Sequence, residues 1–160
     1  IADHGDAVLR TAYVYLRDRQ KAEDAYQETF VRVYRNRDKV RQMDNARGWI
    51  ITIAVNICRD MLRSAWWRKV LFRDEPPRAP STDSPEQWAI ASESARELLE
   101  LVMRLDEPYR VVVLLYYYHE MSTEQIAGVL RVREGTVRSR LHRARGYLKN
   151  YIEQREGNDR

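Results

Sequence analysis

The stretch that decides the fold spans residues 122–149 and reads STEQIAGVLRVREGTVRSRLHRARGYLK. Ser122 stands three residues before Gln125, a spacing typical of a capping box at the start of a helix. Met121 and Ile126 occupy the positions of a hydrophobic staple around that start. The pattern predicts two short helices joined by a tight turn, which is a helix-turn-helix.

The second of these helices has an apolar and a basic side. At about 100° per residue, its apolar stripe consists of Val137, Leu141, Ala144 and Leu148. The opposite face carries Arg138, Ser139, His142, Arg145 and Lys149, with Arg143 at its flank. From Arg131 to Lys149 there are seven Lys or Arg and one acid, Glu134. An ordinary solvated helix mixes both signs to form ion pairs, and arginine can donate two hydrogen bonds to a guanine edge. The residues therefore favour DNA binding over a plain solvated face.

Charge and proline divide the chain into three parts. Residues 1–70 carry 14 basic and 9 acidic side chains, residues 71–110 carry 5 and 9, and residues 111–160 carry 9 and 6. Four of the five prolines of the acidic part fall within residues 76–85, where helices and a buried core are disfavoured; they are Pro76, Pro77, Pro80 and Pro85. We therefore predict a flexible linker over residues 70–86. The 160 residues, 44% of them hydrophobic, are enough for one or two small cores.

The first basic part is helical by its periodicity. Three apolar stripes recur at helical spacing: Val8, Leu9, Ala12, Tyr13 and Leu16; Ala22, Ala25, Tyr26, Thr29, Phe30 and Val33; Trp49, Ile50, Ile53, Ala54, Ile57, Met61 and Leu62. Alternating apolar runs typical of strands are missing from the sequence, and it has only six glycines. An all-α fold of two small helical domains is predicted.

The remaining composition argues against a metal, a cofactor or a disulfide. Cys58 is the single cysteine and lies in an apolar helical stretch, which favours a buried structural thiol over a redox sensor. The three histidines are scattered and give no metal-ligand spacing. No apolar run approaches the roughly 18 residues of a membrane span, no signal peptide is evident, and the start at Ile1 suggests a processed end. A cytoplasmic protein is expected.

Residues 135–145, GTVRSRLHRAR, resemble the recognition helix in the fourth domain of bacterial RNA polymerase sigma factors of the extracytoplasmic-function (ECF) group. Residues 105–110 resemble the Leu-Pro-x-x-x-Arg segment that precedes it, with Asp106 in place of the proline. Arg133 stands where a Ser or Thr cap is common. The resemblance implies that the minus-thirty-five promoter element is bound by Thr136, Arg138, Ser139, His142, Arg143 and Arg145.

A second motif lies in residues 22–30, AEDAYQETF. It resembles the Asp-x-x-Gln-Glu-x-Phe signature of sigma domain two, which docks on the clamp helices of the largest polymerase subunit. The resemblance implies that Asp24, Gln27 and Glu28 bind core polymerase, whereas Phe30 belongs to the apolar stripe. A plain solvated helix face is the alternative for the three polar residues.

A third motif, WIITIAVNICRD at residues 49–60, resembles the sigma helix that faces the nontemplate strand of the minus-ten element. The implied DNA-binding residues are Arg47, Trp49, Asn56, Arg59 and Arg63. Trp49 is also a candidate core anchor. Residues 36–48 show no strong periodicity and match the family's base-capturing loop, although Ala46 stands where many relatives have Phe.

The three motifs occur in the family's order and imply sigma domain two at residues 1–69, the linker at 70–86 and sigma domain four at 87–160. The expected function is promoter recognition without catalysis. Its expected partners are core RNA polymerase, through the beta-prime clamp helices and the beta subunit, promoter DNA, and an anti-sigma factor, often membrane-anchored. Two other classes of protein are alternatives. A free-standing helix-turn-helix activator or repressor needs an effector domain that residues 1–70 do not show, and an enzyme needs a catalytic constellation that the sequence does not offer.

Overall fold

Helices are the regular elements of the described chain, which confirms the all-α prediction for this part of the protein. The computed structural model describes residues 2–71 and 92–158, with side chains for residues 4–65 and 92–158. The chain divides into two compact units, Ile1–Thr82 and Asp83–Arg160. The predicted linker falls, from residue 72 onward, outside the described residues, as does the predicted start of the second domain at residue 87.

The first unit contains α1 (Ala2–Leu16), α2 (Arg19–Arg35), α3 (Arg37–Arg41) and α4 (Ala46–Leu71). Helices α1, α2 and α4 pack against one another. Between α1 and α2 the chain reverses at Arg17, whose φ of 54° is left-handed. Asp18 then caps α2, because its carboxylate accepts a hydrogen bond from the Lys21 amide at 3.1 Å. This cap fixes the point at which α2 begins.

The core of this unit follows the three predicted stripes, with one shift. Val8, Ala12, Ala25 and Val33 are buried as expected. On α4, however, burial extends to Ile51, Val55 and Cys58, whereas Trp49, Ile53, Met61 and Leu62 are only half-buried. Helix α4 is apolar around most of its circumference, so periodicity alone could not fix which side faces the core. Phe30, expected in the core, is also half-buried, with its ring 4.7 Å from that of Tyr26.

Residues 36–48 are not a continuous loop. They contain the short helix α3, whose first turn carries Asp38 and whose last turn carries Lys39 and Arg41. All five of its residues are at least partly exposed. A five-residue helix without a buried stripe leaves no apolar period to detect, which explains why the sequence pattern missed it.

The second unit contains α5 (Glu93–Arg104), α6 (Glu107–Val113), a π-helical turn (Leu114–Tyr118), α7 (Thr123–Leu130) and α8 (Glu134–Asn158). Arg110 explains the spacing of residues 105–110. Arg110 is 3% exposed, and its guanidinium donates a 2.7 Å hydrogen bond to the carbonyl of Leu105, the C-cap of α5. Arg110 therefore ties the end of α5 to α6.

Ser122 and Gln125 form the predicted capping box at the start of α7 in both directions, at 3.1 and 2.9 Å. Helix α7 ends at Arg131, whose φ of 55° and ψ of 45° are left-handed. Helix α8 begins three residues later, at Glu134, so the tight turn of a helix-turn-helix is present. Helix α8 runs for 25 residues, so the prediction of a short second helix was wrong. Buried Val137, Leu141 and Ala144 hold its first half to the unit.

Candidate nucleic-acid and polymerase interfaces

The side of α8 opposite its buried stripe is free of contacts with the rest of the unit at Gly135 and Gly146. We call the part of this side nearest the start of α8 the crest and define it by Gly135, Ser139 and His142, all exposed. At about 100° per residue, these positions lie about 130–170° from the centre of the buried stripe. A methyl group added at Gly135 or Gly146 would meet no atom within 4 Å. The crest is therefore open to close approach by a partner.

Two basic flanks border the crest. Arg143 and Arg140 lie on one flank, beside an open recess of about 440 Å³ between α6 and the first turns of α8. The recess is lined by Pro108, Tyr109, Gly135, Thr136, Ser139, Arg140 and Arg143. Three of the predicted minus-thirty-five residues, Thr136, Ser139 and Arg143, thus share one concavity. No role was predicted for Arg140. The sequence pattern divides the helix into an apolar stripe and an opposite basic face, and Arg140 lies between the two.

The other flank carries Arg138, which is engaged within the protein. Its guanidinium donates to the Glu134 carboxylate at 2.8 Å, and the Thr123 hydroxyl donates to the same carboxylate oxygen at 2.7 Å. These bonds, Thr123 first and then Arg138, lower the pKa of Glu134 below its ordinary value. The single acid of the basic run therefore connects the start of α7 to the start of α8. Its carboxylate also lies in the first turn of α8, where the helix dipole favours an anion.

Arg145 lies on that same flank, not on the crest. Its Nε donates a 2.7 Å hydrogen bond to the Tyr117 hydroxyl, and its guanidinium carbon lies 5.6 and 5.7 Å from the ring centroids of Tyr116 and Tyr117. The bond to Tyr117 raises the pKa of Arg145 above its ordinary value. The expectation that Arg145 belongs to the face opposite the apolar stripe was wrong, because at about 100° per residue it lies only about 70° from the centre of that stripe.

In the first unit, Asp24, Gln27 and Glu28 are exposed together on the side of α2 that faces away from the core. Glu28 pairs with Arg32 at 2.8 Å, and Gln20 donates to Asp24 at 3.4 Å, both along the helix. Val31 and Tyr34 lie on the same side and are 43% and 63% exposed. We call these five residues the α2 face: Asp24, Gln27, Glu28, Val31 and Tyr34. Its two apolar members, Val31 and Tyr34, have no signal in the sequence, because only their exposure in the fold marks them.

Four of the five predicted minus-ten residues share one side of α4, and the fifth does not. Trp49, Asn56, Arg59 and Arg63 fall on one side of α4, opposite its buried residues, and Arg59 donates to the Asn56 side chain at 3.4 Å. We call these four residues the α4 face. Arg47 is exposed at the first turn of α4 but points about 120–180° around the helix from them. Trp49 is half-buried, which is compatible with both of its expected roles.

Two further observations limit the chemistry of the described residues. No group of three His, Cys, Asp or Glu side chains is placed to hold a metal ion in this part of the chain. Among the helices that the structure describes, none combines the length and hydropathy needed to cross a membrane.

Comparison with known proteins identifies both units. Residues 1–68 match the family Sigma-70 region 2, and residues 95–148 match the family Sigma-70, region 4. The chain is similar to the ECF RNA polymerase sigma factor SigE of Mycolicibacterium smegmatis, with 34% identity over 95% of this chain and 60% of that protein. It is also 32% identical to the ECF RNA polymerase sigma factor SigL of Mycobacterium tuberculosis, over 89% of this chain and 80% of the relative.

Solved structures show the same fold. The sigma factor RpoE from Bartonella quintana, in complex with the anti-sigma factor NepR, matches with a TM-score of 0.75 at 19% identity, over 95% of this chain and 93% of that one. CnrH, in complex with the cytosolic domain of CnrY, matches with a TM-score of 0.59 at 24% identity, over 96% and 84% of the two chains. From the paired region 2 and region 4 matches and the relatives, the chain belongs to the ECF group of RNA polymerase sigma factors, the subunits that direct promoter-specific initiation.

Proposed function

We propose that the two units divide initiation between them: the second reads the minus-thirty-five duplex with the crest of α8, and the first docks on core polymerase and holds the minus-ten nontemplate strand. The observation that carries this is the two-sided construction of α8. Its buried stripe anchors the helix, and the crest beside Arg143 is free to enter the major groove, which is wide enough for one helix.

Docking on core polymerase is assigned to the α2 face. Asp24 and Glu28 supply negative charge, and exposed Val31 and Tyr34 add apolar area at its end. An acidic surface with an aromatic residue is suited to a basic partner helix, for which the beta-prime clamp helices are the candidate. Further contacts with the beta subunit are part of the proposal.

Strand capture is assigned to the α4 face. Asn56 can hydrogen-bond a base edge, Arg59 and Arg63 can contact phosphates, and the half-buried Trp49 ring can support stacking. Arg47 and the exposed cations of α3 lie outside this face and are proposed to contact the backbone of the same strand. Binding energy from these contacts offsets the unstacking of a few base steps, roughly 1–2 kcal/mol each.

The domain limits proposed are residues 1–69 and 87–160, joined by a linker at 70–86. The protein acts in the cytoplasm, where polymerase and DNA are, and has no catalysis or cofactor of its own. An anti-sigma factor, soluble or membrane-anchored, is the proposed regulator. Two observations support it: RpoE is bound to the anti-sigma factor NepR, and CnrH is bound to the cytosolic domain of CnrY. The α2 face and the basic flanks of α8 are its proposed targets.

The experiment that separates this function from that of a free-standing activator is reconstitution with core RNA polymerase. The purified chain should co-elute with core polymerase in the absence of DNA, and the complex should make thymines near the start site reactive to permanganate. Asn56→Ala should keep co-elution and reduce the reactivity. An activator would bind promoter DNA without forming the complex, and full strand opening by Asn56→Ala would remove the α4 face from the proposal.

A further inference from the structure

Neither the motifs nor the comparisons assign a role to Tyr117, and a role for this residue rests on the proposed duplex binding by α8. Tyr117 lies in the π-helical turn Leu114–Tyr118, a rare element that is frequent at functional sites. The turn brings Tyr116 and Tyr117 to the flank of α8 that carries Arg145, a residue 28 positions further along the chain.

The contact orients one arginine in a defined way. The Tyr117 hydroxyl accepts from Nε of Arg145, and the two terminal nitrogens of the guanidinium take no part in that bond. The Tyr116 and Tyr117 rings lie 5.6 and 5.7 Å from the guanidinium carbon, within the range of cation–π attraction. Arginine side chains carry large rotamer entropy, so a guanidinium fixed in advance loses less freedom when it binds an anion.

The position of Arg145 favours a phosphate over a base as its ligand. A helix in the major groove points the side opposite its core towards the base edges, and its flanks face the two sugar-phosphate strands. Arg145 lies about 70° from the buried stripe, well off the crest. The two terminal nitrogens of its guanidinium match the bidentate geometry of a phosphate. Tyr117, which is 55% exposed, stands beside it at the same edge.

We propose that Arg145 contacts a DNA backbone phosphate beside the minus-thirty-five element, and that Tyr117 is the positioning residue that holds its guanidinium for this contact. Arg145 then increases affinity for DNA of every sequence and contributes nothing to base preference. The base preference comes from the crest and from Arg143.

The test uses holoenzyme reconstituted from core polymerase and the full chain, on a selected promoter fragment and a set of its minus-thirty-five variants. Arg145→Ala should weaken binding to every variant by a similar factor, about tenfold, and should reduce the slope of log K against log salt by about 0.9. Tyr117→Phe should weaken binding about two- to tenfold, the range for the net contribution of one typical hydrogen bond. In the Arg145→Ala background, Tyr117→Phe should have no further effect.

Tyr118→Phe is the matched control, because Tyr118 is exposed in the same turn and its ring packs on His119. It should leave affinity unchanged. A change of base preference in Arg145→Ala, or an equal effect of Tyr117→Phe with and without Arg145, would overturn the proposal. Wild-type holoenzyme is measured first. If it selects promoters no better than core polymerase alone, the proposed function itself falls, whereas selective wild-type binding with an unaffected Tyr117→Phe variant rejects only the positioning role.

Discussion

Replacing Gly135 by alanine should separate folding from DNA binding. Glycine inside a helix is less favourable than alanine by roughly 0.5–1 kcal/mol. A methyl group at Gly135 would meet no atom within 4 Å, and the residue has no positive φ that would require glycine. The isolated protein therefore gains no stability from this glycine, and Gly135→Ala should be neutral or stabilising. Any loss of function in Gly135→Ala is therefore expected to come from an external contact.

That contact is proposed to be the DNA major groove. Residues near the start of a recognition helix approach base edges most closely, and Gly135 is the second residue of α8. An added methyl group in a tightly packed contact costs about 1–3 kcal/mol. Promoter affinity of the holoenzyme should therefore fall between about fivefold and over a hundredfold.

Gly146→Ala is the control on the same side of α8, beyond the crest. It lies eleven residues further along α8, about 16 Å from Gly135, and its added methyl group would also meet open space. This variant should raise the midpoint of thermal unfolding of its unit by about 2–8 °C, followed by circular dichroism, and should leave promoter affinity unchanged. The reasoning is refuted if Gly135→Ala binds promoters as tightly as the wild type, or if Gly146→Ala destabilises the protein.

Four other changes have defined outcomes. Arg143→Ala should alter preference at one or two minus-thirty-five base pairs by roughly 1–3 kcal/mol, measured on single-base variants; a uniform loss would contradict base reading. The double change Asp24→Lys, Glu28→Lys should abolish co-purification with core polymerase, because like charges across an interface cost several kcal/mol, while the helical circular dichroism signal is retained; a surviving complex would exclude the α2 face. Asp106→Pro should be more stable than Asp106→Ala by roughly 0.4–1 kcal/mol in urea, since Asp106 already has a φ of −62° and follows an extended residue; equal stability would refute this. Burial raises the pKa of the Cys58 thiol to about 12, so the folded state favours the protonated thiol. The stability that this preference contributes should be lost as pH rises from about 8.5, the pKa of the unfolded chain, towards 12. Iodoacetamide should label Cys58 only after unfolding, as mass spectrometry will show.

Local sequence patterns predicted the features that depend on neighbouring residues. The capping box of Ser122 and Gln125 needs only a spacing of three residues, and it is present in both directions. The buried stripe of Val137, Leu141 and Ala144 needs only the helical repeat. Both are decided within one or two helical turns, which explains why they could be read from the sequence.

Features that join distant parts of the chain escaped prediction. The bond between Tyr117 and Arg145 spans 28 residues and depends on a π-helical turn, for which the run of three tyrosines at 116–118 was the only visible signal. The link from Thr123 to Glu134 spans eleven residues across the turn. Because Arg133 offers no hydroxyl for capping, Glu134 and its bond to Thr123 tie the start of α8 to α7 instead. Such contacts are set by packing geometry, which the helical period does not encode.

Transcription from a library of genomic fragments by core RNA polymerase, with and without the chain and with start sites mapped, tests the central claim most directly. With the chain present, new start sites should share one upstream element and one minus-ten element, and Arg143→Ala should change the sequence of the upstream element alone. Identical start sites with and without the chain would contradict the assignment of this protein as a promoter-directing subunit.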